Sequence, residues 1–163
     1  MANCTNTTAK IVSKDKNVLE KLKAIFKSED KDYCLYQCNG ECYLEETKDG
    51  IYTAYFDITS NWNCEPMFNA TEKPYNGKTL TNLVILAKKL GFGVELYSTE
   101  GGDCLAEHYG VDHNGEITYW ETSEYKEIYP LDENGEPDYE KEPTIECDFE
   151  INDFSNALEI YGE

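Results

Sequence analysis

The chain contains no arginine: all 14 of its basic residues are lysines. It therefore lacks the planar guanidinium fork that grips phosphates and guanine edges through paired hydrogen bonds, which counts against direct nucleic-acid binding. No run of 18 or more apolar residues occurs, so no membrane-crossing helix is expected. The start of the chain, Met1 to Asn6, has neither a basic opening nor an apolar stretch for export, and the expected location is the cytoplasm of a bacterial cell. Phosphate-binding glycine patterns, serine-hydrolase elbows and zinc-protease helices are all missing, so a non-enzymatic role is expected.

Seven cysteines, an odd number in a chain without an export signal, argue against a full disulfide framework. Cys34, Cys38 and Cys42 recur every fourth residue and are the weak candidates for a metal site, with Cys64 as a possible fourth thiolate. On a strand, however, successive sulfurs would stand about 13 Å apart, too far for one ion. No metal or other cofactor is expected. Cys104, His108 and His113, with Asp103 and Glu107 close by, form the sole grouping of thiol and imidazole. The histidines read as surface residues beside a turn. Acids surround two Asn-Gly turns, but the positions where a helical calcium loop needs its first aspartate hold Gly110 and Pro130.

What is abundant is acid, and it is unevenly placed. Residues 1–99 carry 13 acids and 12 lysines, a net charge of −1. Residues 100–163 carry 20 acids against Lys126 and Lys141, a net charge of −18. Apolar spacing predicts a strand over 6–12, then a helix capped by Ser13 or Asp15 that buries Val18, Leu19, Leu22, Ile25 and Phe26. A strand is expected within 33–44, with a turn at Asn39-Gly40, and another over 51–59, where Tyr52, Ala54, Phe56 and Ile58 share a face. A second helix over 79–90 stops at Gly91 and leads into a strand over 93–97. The order βαββαβ implies an α+β, ferredoxin-like antiparallel sheet with two helices on one face, occupying residues 1–99.

Residues 100–163 are expected to form an acidic, β-rich extension packed on the same domain. Turns are expected at 112–115 and 132–135, flanked by strands at 117–120 and 125–129. The segment 144–151 alternates cleanly, with Ile145, Cys147, Phe149 and Ile151 on one side and Glu146, Asp148 and Glu150 on the other.

Met1-Ala2-Asn3-Cys4-Thr5-Asn6-Thr7 resembles the amino-terminal signature of the ferredoxin-like Api92/YubB proteins of phages and plasmids, which open on Asn-Trp-Cys-x-Asn before a first strand. Phe56-Asp57-Ile58-Thr59-Ser60-Asn61-Trp62-Asn63-Cys64-Glu65-Pro66 resembles the strand of that family ending in Thr-x-Trp-x-Pro. Residues 83–115 resemble its closing helix and strands. The resemblance spans roughly residues 1–120. It implies a ferredoxin-like fold and a phage or mobile-element origin, with no catalytic residues to carry over.

The functional expectation therefore rests on the acidic half. Its expected partner-binding carboxylates are Glu121, Glu124, Glu127, Asp132, Glu133, Glu136, Asp138, Glu140, Glu142, Glu146, Asp148 and Glu150, with Tyr119, Trp120, Tyr125 and Tyr129 as aromatic anchors. On a regular strand, Glu146, Asp148 and Glu150 would place one charge about every 6.6 Å, so two such strands would approach the phosphate density of nucleic acid. The expected partner is a basic host protein, such as a nucleic-acid-binding defence nuclease deceived by a DNA mimic. An immunity protein for a basic toxin and a metal- or thiol-dependent protein are the alternatives.

Overall fold

The computed structural model describes residues 3–154; Met1 and Ala2 of the amino-terminal motif and residues 155–163 of the acidic half lie outside them. The chain runs β1 (Asn6–Ser13), α1 (Lys16–Phe26), β2 (Tyr33–Leu35), β3 (Cys38–Lys48), β4 (Ile51–Ser60) and α2 (Pro66–Asn69). It continues through β5 (Lys73–Tyr75), β6 (Lys78–Thr81), α3 (Leu83–Leu90), β7 (Gly93–Glu100), β8 (Leu105–Val111), β9 (Ile117–Glu124), β10 (Lys126–Ile128) and β11 (Thr144–Glu146).

Six strands form one sheet in the order β3-β4-β1-β7-β8-β9, and every neighbouring pair is antiparallel. A three-stranded sheet, β2-β6-β5, and a two-stranded one, β10-β11, stand beside it. This overturns the expected two-helix ferredoxin-like βαββαβ fold. The described residues are mostly β, with 47% strand and 15% helix, and among them are three helices and a six-stranded sheet. Two physical reasons account for the difference. Residues 79–81, expected to open a helix, instead belong to β6, which pairs with β2 and β5, so α3 begins only after its cap at Asn82. In addition, β7 is joined from Val94 to Glu100 by β8, and β8 by β9, so the expected extension by the acidic half continues the same sheet and makes it six-stranded rather than four-stranded.

Local chemistry explains the elements that match expectation. Asp15 caps α1 by accepting from Asn17 N at 2.9 Å, and the helix buries Val18, Leu19, Leu22, Ile25 and Phe26. In α3 the Asn82 side chain accepts from Ile85 N, Lys88 and Lys89 occupy the last turn, and Gly91 closes it at φ 79°. The turn expected at Asn39-Gly40 is absent. Gly40 lies within β3, where an added Cβ would meet Ile58 Cγ1 at 3.0 Å, and the chain turns earlier, at Gln37 (φ 44°).

The core lies between one face of the sheet and α1, α2 and α3. Ala9 and Ile11 of β1, Ala54, Phe56 and Ile58 of β4, Val94 and Leu96 of β7 and Tyr109 of β8 meet Leu22, Phe26, Met67, Leu83 and Leu86 there. A polar pocket interrupts this layer. The Cys64 thiol lies 3.2 Å from Thr7 Oγ1 and 3.4 Å from Ser60 Oγ, and Thr7 donates to Ser98 Oγ at 2.9 Å. Buried Glu107 accepts from Cys64 N and from the Tyr109 hydroxyl, which pins the 60–65 connection to β8. Among the described residues no helix is long and apolar enough to cross a membrane.

Candidate functional site

Two matching turns shape the acidic half. At 112–116 and at 132–136 the aspartate side chain accepts two backbone N–H groups, from Asn114 and Glu116 and from Asn134 and Glu136. Each turn also closes a backbone pair, Asp112 N to Glu116 O at 2.9 Å and Asp132 N to Glu136 O at 2.7 Å. The Asp132 carboxylate is thus committed to its own loop. The first turn joins β8 to β9, and the second lies in the excursion between β10 and β11.

The expected carboxylates divide into three groups. Glu121 turns to the back of the large sheet, where its Oε2 lies 2.7 Å from His108 Nδ1. Glu127 accepts from the Tyr125 hydroxyl at 2.7 Å and the Tyr129 hydroxyl at 3.0 Å. Burial and this carboxylate push the Tyr125 phenol up to about 12. The third group is solvent-facing. Glu124, Glu146 and Asp148, with Lys126 and Ser123, line a shallow cleft of about 220 Å³ beside the β10-β11 ribbon. Glu133, Glu136, Glu140, Glu142 and Glu150 are exposed, while half-buried Asp138 holds Lys141 at 3.3 Å.

The expected strand over 144–151 ends at Glu146, so the regular spacing of charge across Asp148 and Glu150 is not kept. Asp148 N instead donates to Ser123 Oγ at 2.9 Å and draws the chain across the back of the sheet. There Phe149 lies 5.6 Å from the His108 ring and Phe154 lies 5.1 Å from Tyr97. The aromatic anchors separate likewise. Tyr119 stacks on His108 at 4.4 Å, whereas Trp120 turns to the helix side and packs on Tyr109 and Phe68. Tyr129 packs on exposed Tyr139 at 4.9 Å.

His108 corrects the reading of a surface histidine: it is 4% exposed and enclosed on every side. Its ring lies between Tyr97, parallel within 4° at 4.2 Å, and Tyr119. Nε2 lies 2.9 Å from Glu95 Oε1 and Nδ1 meets Glu121. Burial disfavours the imidazolium, but the bonds to Glu95 and Glu121 outweigh it and raise the His108 pKa. The Tyr97 hydroxyl lies 2.6 Å from the Asp153 carbonyl oxygen, which ties the carboxyl-terminal segment to this stack. Residues 95, 108 and 121 are each 13 apart in the chain. That spacing is the one trace of the cluster in the sequence.

The cysteine candidates fall on different elements. Cys34 belongs to β2, while Cys38 and Cys42 belong to β3. Burial pushes the Cys38 thiol up to about 12 and raises those of Cys34 and Cys42, which opposes the thiolate a metal needs. Cys42 donates to Leu44 O at the β3 bulge. Among the described residues no group of three His, Cys, Asp or Glu side chains is placed to hold a metal ion. Cys104 is exposed in the turn before β8, apart from the buried His108. Compared with family models, curated proteins and solved structures, the chain matches none.

Proposed function

We propose that this is a binding protein of phage or mobile-element origin, acting in the bacterial cytoplasm, whose acidic end occupies the basic nucleic-acid site of a host protein. The observation that carries this reading is the density of outward charge between residues 130 and 150. Nine carboxylates stand there against Lys141 alone, and eight of the nine are exposed. The end of β9 adds Glu124, which lines the same cleft as Glu146 and Asp148.

Such a surface attracts lysines and arginines over a distance of about one Debye length, roughly 10 Å at 0.1 M salt. It speeds encounter and discriminates against acidic partners. Tyr139, 74% exposed at the same excursion, supplies an aromatic contact of the kind that anchors interfaces. A defence nuclease that holds nucleic acid through a basic channel has the complementary chemistry.

The test is competition for one site. A basic nucleic-acid-binding protein captured from bacterial lysate at low salt should be released by added duplex DNA, and the chain should inhibit its DNA binding. The E146K/D148K/E150K triple variant should do neither while melting as the parent does. Absence of any such protein from the capture, or undiminished binding by the triple variant, overturns the proposal.

A further inference from the structure

Away from the acidic end, the β5-β6 hairpin and the turn after β2 enclose a cleft of about 540 Å³. This lies within the few hundred to about 1,000 Å³ typical of small-molecule sites. Its charge is opposite to that of the molecule. Lys73 and Lys78 line it, and among the described residues no carboxylate does, in a chain that has 33. Lys78 Nζ donates to the Ser28 carbonyl at 3.0 Å, which holds the ammonium at the wall with two further N–H groups to offer.

The remaining chemistry of the cleft is equally specific. Tyr36 and Tyr75 line it while 39% and 53% exposed, so ring surface is available for stacking. Gln37 and Asn76 also line it, and each carries an amide with donor and acceptor side by side. Asn76 is held there by the two-residue Asn76-Gly77 turn, whose φ values of 48° and 77° match the left-handed hairpin type. Aromatic faces, amides and two ammonium-bearing side chains are the complements of a heteroaromatic base and a phosphate.

We infer that this cleft binds a nucleoside monophosphate, with its base against Tyr36 or Tyr75, its base edge on the Gln37 and Asn76 amides, and its phosphate on Lys73 and Lys78. A single phosphate is matched by two lysines. A longer polyanion would extend past the cleft onto a molecule carrying −19, which restricts the ligand to the monomer.

Titration calorimetry with AMP, GMP, CMP and UMP, each beside its nucleoside and beside inorganic phosphate, tests this on the whole chain. At least one monophosphate should bind more tightly than its nucleoside and than phosphate. Loss of a charge-assisted hydrogen bond should weaken it about tenfold or more in K73E, and Y75A should weaken it as well. Both residues are surface-exposed or partly so, and thermal melts of the variants report whether the fold is kept. Failure of all four nucleotides to bind, or binding that survives both K73E and Y75A, overturns the assignment. Tighter binding of a short oligonucleotide than of the monophosphate overturns the restriction to the monomer. None of these outcomes depends on the acidic end.

Discussion

His108 shows how one side chain can make a fold sensitive to pH. Its pKa is raised in the folded chain, so folding favours its charged form. The stabilisation is fully present below the ordinary imidazole pKa of about 6.5 and is lost as pH rises through the folded value. Thermal unfolding should therefore occur at higher temperature at pH 6 than at pH 8, and H108Q should lose most of that slope. Burial also raises the pKa of Glu107, and a carboxyl so raised destabilises the fold as pH rises above the ordinary carboxylate range. That contribution has the same sign but begins at lower pH, so the H108Q comparison separates the two. An unchanged slope in H108Q would remove the imidazole from the account.

At the scale of elements, caps carry measurable stability. Asn82 accepts from Ile85 N and donates to the Ala70 carbonyl at 3.0 Å, so one side chain joins α2 to α3. N82A should cost about 1–2 kcal/mol in urea unfolding with an unchanged slope, and D15A, which loses a cap alone, about 1 kcal/mol. Equal, negligible losses would show that tertiary packing alone sets both helix starts. Much of this level was legible in the sequence. The strand over 51–59, the cap that opens the first helix, the Gly91 stop of the second and the two Asn-Gly turns of the acidic half follow from local periodicity and turn chemistry. The placement of Lys78–Thr81 was not legible, because a three-residue partner, Tyr33–Leu35, decides it from 45 residues away and short pairings leave no periodic trace. The tail over the sheet was hidden for a related reason. Alternation at 144–151 correctly marks Cys147, Phe149 and Ile151 as partly buried, but a strand and an irregular strap bury alternate residues alike.

For the molecule as a whole, the uneven charge has a thermodynamic cost. Like charges crowded between residues 130 and 150 repel in the folded state, and added salt screens them. The melting temperature should rise between low and moderate sodium chloride. The E146K/D148K/E150K variant, whose net charge falls from −19 to −13, should respond less. A melting temperature independent of salt would mean that the exposed carboxylates are spaced too widely to matter. The candidate site was legible as composition but not as geometry, since only the fold separates Glu121 and Glu127, held by His108 and two tyrosines, from the carboxylates facing solvent.

The ends of the large sheet carry a consequence of their own. Both outermost pairings, β3 on β4 and β8 on β9, contain a register irregularity, while the three inner pairings are regular. Glu41, Glu45, Glu46 and Lys48 stud one rim, and Glu121 and Glu124 the other. A kinked, charged rim is a poor template for another strand. The sheet therefore resists growth by edge-to-edge stacking with its own copies, and a protein that meets it must do so through side chains, leaving the backbone of both rims unread.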